Sequence, residues 1–187
     1  MRVTREQADA HREKILEIAG MLFRERGYDG IGVAEIMKRA GLTHGGFYGH
    51  FGSKDDLAAE ITGRVLRREG WLGRLTGKPD PSYADLVRSY LSARHRDDPG
   101  HGCFFAALGS DVARQPRSVR RAFTDGVRKR LDTIRGLVPG RLSAARRRKA
   151  IATLAGLVGA LVLARAVDDP ALSDEILSAT AASLEGS

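Results

Sequence analysis

Between Thr43 and Lys54 the chain reads Thr43-His44-Gly45-Gly46-Phe47-Tyr48-Gly49-His50-Phe51-Gly52-Ser53-Lys54. A phenol, two imidazoles, hydroxyls and an ammonium stand here among glycines. Such groups donate to phosphate oxygens and base edges, so the chemistry is recognition of a polyanion, not bond making. Phe47 and Phe51 are four apart and share one helical face. They are expected to pin the segment to Phe23, Ile36 and Leu57. Tyr48 is turned about a third of a revolution away and should point outward, where its hydroxyl can reach a phosphate. Gly45, Gly46 and Gly49 each cost a helix roughly 1 kcal/mol relative to alanine. They let the backbone approach a partner closely and remove side chains that would read bases. Direct readout then falls to His44 and His50, with Thr43 and Tyr48 on the backbone, and duplex shape supplies much of the specificity.

The elements that position this segment follow from apolar spacing. Ile15, Ile18, Ala19, Leu22 and Phe23 make one buried stripe on a helix from Arg12 to Arg26, which Gly27 ends. Val33 to Ala40 is a short helix with Ile36 and Met37 inward, and Gly41-Leu42 turns the chain into the aromatic segment. Thr43 is expected to cap that segment with its hydroxyl. Ser53 caps a long helix from Lys54 to about Leu75, with Leu57, Ile61, Val65 and Leu66 in period. Helix, tight turn, short helix, polar corner and long helix is the order of a helix-turn-helix DNA reader.

Beyond the Pro- and Gly-rich break at Thr76 to Pro81, helices are expected over Tyr83–Arg94, Cys103–Arg114, Ser118–Val138, Ser143–Val167 and from Asp169-Pro170 to about Leu184. No strand-like alternation or repeat interrupts them. The expected fold is all-α with about nine helices. A three-helix helix-turn-helix domain spans residues 1–53, a linking helix 54–75, and a larger helical domain 76–187.

Charge does not locate the reader. The net charge is +8, yet Met1 to Glu60 holds nine Lys and Arg against ten Asp and Glu. The surplus lies at Arg117, Arg120, Arg121, Arg128, Lys129, Arg130, Arg141 and Arg146 to Lys149, read as solvated helix faces. The single cysteine, Cys103, leaves no internal disulfide and suits a reducing compartment. No signal peptide is visible, and Ala150 to Ala164 is uncharged for fifteen residues, short of the roughly 20 needed to span a bilayer. The reading is cytoplasmic, without membrane.

Ile15 to Gly27 (Ile-Leu-Glu-Ile-Ala-Gly-Met-Leu-Phe-Arg-Glu-Arg-Gly), with Phe23 and Gly27-Tyr28 at its end, resembles the first helix of the TetR family of bacterial transcriptional regulators. Val33 to Gly41 resembles that family's second helix, and Thr43 to Leu57 its recognition helix and corner. The resemblance covers about the first third of the chain. It implies double-stranded DNA as partner, with Tyr48 and Lys54 on phosphates, and places Arg2, Arg5 and Arg12 near the backbone. Two units related by a two-fold axis read half-sites about one helical turn, roughly 34–36 Å, apart. A homodimer is therefore expected, with Leu154, Gly156, Leu157, Gly159, Ala160, Leu161 and Leu163 at its interface and the last helix completing a four-helix contact.

The resemblance and the size of the helical remainder imply a small-molecule effector pocket lined by Trp71, Leu75, Tyr90, Phe104, Phe105, Leu108, Phe123 and Val127. Cys103, after Gly102 at a helix start and near His95 and His101, is read either as a thiol sensor of electrophiles or as a small buried residue. No cofactor, metal site or catalytic residue is expected, since no paired carboxylates, nucleophile elbow or phosphate loop occurs. The leading reading is a ligand-responsive repressor. The alternatives are a small-molecule-binding or thiol-based redox sensor acting without DNA, and a helical adaptor for protein partners.

Overall fold

Thr4 opens the first helix. Its hydroxyl accepts from the Gln7 amide at 3.2 Å, and its own amide donates to the Gln7 side chain at 3.0 Å. That reciprocal cap starts α1 at Arg5, earlier than the apolar stripe alone indicates, and α1 runs Arg5–Arg26. Gly27, at φ 76°, ends it in a conformation that side chains rarely adopt. In the computed structural model, residues 4–67, 71–139 and 142–186 are described. Among them the chain is all-helical, with ten α-helices and one 3-10 helix, two segments more than expected. The others are α2 (Val33–Arg39), the 3-10 helix His44–Gly49, α3 (Lys54–Arg67), α4 (Trp71–Thr76), α5 (Tyr83–Tyr90), α6 (Ala93–Asp97), α7 (Phe104–Val112), α8 (Arg117–Leu137), α9 (Ser143–Ala166) and α10 (Pro170–Glu185). Arg2 and Arg141 lie outside the described residues, as do residues 68–70 within the expected linking helix.

Two apolar clusters organise these helices. The first joins α1, α2, the 3-10 helix and α3 through Ile15, Phe23, Ile36, Phe47, Phe51, Leu57 and Ile61. It does not stop at the expected domain boundary. Phe104, Phe105, Leu108 and Val112 of α7 and Val119 of α8 belong to it. Tyr28 ties the two halves: its ring meets Phe23 at 5.1 Å and Phe104 at 6.4 Å. The Thr62 hydroxyl donates to the Ala58 carbonyl at 2.7 Å, which leaves the Tyr28 hydroxyl to donate to Thr62, also at 2.7 Å. Burial pushes the Tyr28 phenol up to about 12, so it stays protonated. The second cluster joins α5, α8, α9 and α10 through Leu86, Val87, Leu131, Ile134, Leu157, Leu161 and Leu177.

The tightest approach between helices is α3 on α8. A Cβ on Gly126 would stand 2.5 Å from Leu66 Cβ and 2.6 Å from Leu66 Cδ1, closer than carbon atoms pack. Glycine at this buried site is what lets α8 lie along the helix that leaves the reader. Gly126→Ala is expected to destabilise. Overpacking costs about 1–3 kcal/mol, of which alanine's better helix propensity recovers about 1 kcal/mol. Urea unfolding should show a lower midpoint at unchanged slope.

Candidate functional site

The aromatic segment is a 3-10 helix, His44–Gly49, not an α-helix. Three glycines in six residues make the α form expensive, and the tighter turn serves a short piece. Phe47 is fully buried and Phe51 nearly so, their rings 5.5 Å apart, as the spacing predicts. Tyr48 stands 62 % exposed, its ring edge-on to Phe47 at 5.3 Å and to His44 at 6.0 Å. Thr43, His44, Gly45 and Gly46 are exposed beside it, and His50 is half-buried. Thr43 occupies the N-cap position, but its hydroxyl makes no capping bond; its carbonyl accepts from the Gly46 amide at 3.0 Å. That hydroxyl thus remains available to an outside acceptor.

The glycines have a specific meaning here. A Cβ on Gly45 or Gly49 would meet nothing within 4 Å. Nothing inside the protein requires glycine at either position. At the corner, the Ser53 hydroxyl caps α3 by accepting from the Asp56 amide at 3.0 Å. Lys54, half-buried in the first turn, has no ion-pair partner among the described residues. Arg12, by contrast, stacks on Phe51 at 4.8 Å and pairs with Glu60 at 2.5 Å. Both contacts brace the reader from within. Burial, then His11 and then Arg12, depress the His50 pKa, so the imidazole faces outward neutral.

The expected effector-lining residues divide. Phe104 and Leu108 are sealed in the first cluster. Phe105 belongs to that cluster too, with Phe123 and Val127 packed against it, but Phe105 also stands with Trp71 beside a group that the sequence reading assigned to solvent. Arg130 is only 9 % exposed, its guanidinium 3.4 Å from the centre of the Trp71 ring and 5.6 Å from that of Phe105. Phe105 in turn meets Phe123 at 5.2 Å. Among the described residues no carboxylate pairs with Arg130, and its Nη1 is buried without a hydrogen-bond partner. The Tyr90 hydroxyl is likewise buried and unpartnered. Desolvation pushes the Arg130 pKa down to about 10, against the pull of the Cys103 and Tyr90 groups nearby. A signal for Arg130 was present in the sequence: it lies on the stripe Val119, Phe123, Val127, Arg130, Ile134 of α8. The rule that runs of charge stay wet hid it.

Cys103 is half-buried at the N-cap position of α7. Arg24, Arg130 and Arg165 all feel its sulfur, an electropositive corner for a thiol. Burial, with the Cys103 sulfur adding to it, raises the Tyr90 phenol well above its ordinary value, and its hydroxyl makes no hydrogen bond among the described residues. His101 turns away to Asp98 at 3.0 Å. Among the described residues no three His, Cys, Asp or Glu side chains gather as metal ligands. A surface cleft of about 560 Å³ lies between Arg96, Asp97, Arg165 and Ser173 and is broadly open to solvent.

On α9 the expected interface residues also divide. Leu157, Ala160 and Leu161 are buried in the chain's own second cluster, and Gly156 faces Leu184 and Thr180 of α10. These correct the interface expectation: an apolar helix with small residues first satisfies its own core. Leu154 is half-buried against that cluster. Leu163 is 56 % exposed, with Ile151 at 47 %, Val162 at 42 % and Leu172 of α10 at 42 %, and a Cβ on Gly159 would meet open space. By length and composition α9 is apolar enough to cross a membrane. Its buried face is packed against α8 and α10.

A buried aromatic anchor, an exposed glycine-flanked tyrosine and a capped helix at the corner define a helix-turn-helix reader on an all-helical body. Residues 15–61 match the family model described as bacterial regulatory proteins, tetR family. Over those residues the chain is similar to the TetR family of transcriptional regulators. It is 42 % identical over 60 residues to the HTH-type transcriptional regulator AcrR of Shigella flexneri, a match spanning 32 % of this chain and 28 % of that one. To the probable HTH-type transcriptional regulator ArpR of Pseudomonas putida it is 27 % identical over 179 residues, 87 % of this chain and 85 % of that one. The fold is shared with the reduced form of E. coli NemR at TM-score 0.76 and 22 % identity, over 95 % of this chain and 96 % of that one. The chain thus spans under a third of AcrR's length, and likeness is densest over the reader.

The corner around Cys103 is held by one imidazole. His95 Nδ1 lies 2.7 Å from the Tyr90 carbonyl, which only accepts, so Nδ1 carries the proton. Nε2 then accepts from the Cys103 amide at 3.1 Å. A second proton would abolish that acceptor. Burial, with Arg165 and Arg94 adding to it, depresses the His95 pKa below its ordinary value. A depressed folded-state pKa contributes stability that is fully present above the unfolded value near 6.5 and is lost as pH falls through the folded value. Melting temperature should therefore drop between about pH 7 and pH 5 in the wild type, with a shallower drop in His95→Gln.

Proposed function

We propose that the chain is a homodimeric repressor that binds a near-palindromic duplex through the 3-10 helix and is released from it by a small molecule held in the second half. The observation that carries this reading is the exposed face of the reader: a tyrosine pinned outward by a buried phenylalanine, between glycines that no internal contact requires. Tyr48 and Thr43 bond the sugar-phosphate backbone, Lys54 pairs with a phosphate at the α3 N-terminus, and His44 and His50 face base edges. The bare backbone at Gly45, Gly46 and Gly49 sits close to the groove, so that duplex shape contributes to selection. The protein acts in the cytoplasm, without cofactor, metal or catalysis. Residues 1–53 form the DNA-binding unit, and the helices beyond residue 76 bind effector and partner subunit.

The dimer face is the apolar strip that the fold leaves uncovered: Ile151, Gly159, Val162 and Leu163 of α9 with Leu172 of α10. Its placement on a helix already packed on its other side favours a second copy over a bilayer as the covering surface. The electropositive setting of Cys103 favours an electrophile as a second kind of release signal.

Salt-titrated binding to the DNA upstream of the chain's own coding sequence tests the reading. The wild type should bind with a steep salt dependence that survives competitor DNA. Lys54→Ala should reduce the salt slope by about 1 and weaken all sequences alike. Gly45→Leu should fold normally yet bind weakly; unchanged affinity would remove the reader from the groove. Leu163→Arg should dissociate the dimer in sedimentation experiments while leaving the monomer folded.

A further inference from the structure

Arg130 presents an electrostatic problem that the chain alone does not solve. A guanidinium taken out of water costs several kcal/mol unless it is paired and hydrogen-bonded. Here one face is covered by the Trp71 indole, Phe105 stands nearby, and Nη1 has no acceptor. A cation–π contact compensates part of the charge but satisfies no N–H. The Tyr90 hydroxyl, on another helix, is a second buried group without a partner, and it is a charge neighbour of Arg130. Two unsatisfied polar groups, each more than nine-tenths buried, thus lie within electrostatic reach of each other, with Arg74 and Arg165 as further positive neighbours.

We infer that Arg130 and Tyr90 seat the carboxylate of the effector, a small organic monoanion with an apolar body. The inference deepens the ligand-responsive reading above and rests on it for its regulatory consequence. One carboxylate neutralises one guanidinium and accepts from both Arg130 Nη1 and the Tyr90 hydroxyl. Stacking on Trp71 leaves the guanidinium edge, where its donors lie, for the anion. Trp71 and Phe105 favour an apolar body over a strongly hydrated inorganic ion. The site lies where a ligand can act on the reader. Arg130 is four residues from Gly126, at the point where α8 presses on Leu66 of α3, and Trp71 begins α4. Drawing Arg130 toward a carboxylate loads that contact.

Trp71 is the only tryptophan, so its fluorescence reports the site directly. The full-length protein is titrated with benzoate, with the neutral analogue benzamide, and with inorganic phosphate, and melting temperature is followed in parallel. Benzoate should give a saturable change in Trp71 emission and a matching rise in melting temperature; benzamide and phosphate should give neither. Arg130→Met removes the unpaired charge at similar volume and should fold at least as stably as the wild type. It should lose the benzoate response. Tyr90→Phe, a second variant that spares the charge, should weaken benzoate about tenfold. A response to benzamide equal to that of benzoate, an equal response in Arg130→Met, or no response in the wild type would overturn the inference. DNA affinity in the same titration is read separately. Release from DNA without a Trp71 response would sink this site and leave the regulator intact. A Trp71 response that leaves DNA affinity unchanged would uphold the site and sink its part in release.

Discussion

The contact on which the molecule depends is the one between α3 and α8 at Leu66 and Gly126. α3 begins at the corner of the reader, and α8 carries the charge buried in the second half. Because no Cβ separates them, a displacement of α8 has little slack in which to dissipate. Close-packed interiors respond to such a load by moving elements, not by compressing them. The continuation of the first cluster into α7, through Phe104 beside Tyr28, adds a second rigid link. The reader is therefore part of the body's core, and its orientation follows that core.

Against this rigid frame the polar interior is unfinished. Most buried polar groups here have partners: Tyr28 with Thr62, Ser173 with the Ala164 carbonyl, and His95 with a carbonyl on one side and an amide on the other. Arg130 and Tyr90 do not. Native proteins leave few such groups, and they concentrate where a ligand completes the network. An incomplete network also supplies what regulation needs, because a ligand shifts an equilibrium only by binding one state better than the other.

The reader shows the complementary economy. Its charged and hydrogen-bonding groups stand at its edges, and its centre is nearly bare. Glycines at Gly45 and Gly49 are retained where the fold would accept larger residues. A short 3-10 helix braced by Phe47, Phe51 and the Arg12 stack holds that bare surface in place. Stiffness inside the reader and absence of side chains outside it are the two halves of shape-based selection.

Local rules made much of this legible. Apolar spacing gave the helices nearly to the residue at Val33, Lys54 and Ser143; the Phe47–Phe51 interval gave the anchor; and the position of Tyr48 one residue on gave its exposure. Periodicity and caps act over a few residues, so they can be read along the chain. What they could not give was which of several apolar or charged faces meets which. Leu157 and Leu161 turned to their own core while Leu163 stayed outside. Phe104 and Phe105 both joined the reader's cluster, and Phe105 alone of the two also meets Arg130. Arg130 itself, one of many arginines in the sequence, became a buried charge only because α4, α7 and α8 converge on it. Burial and pairing are properties of contacts between residues far apart in sequence, and no local pattern encodes the distance between them.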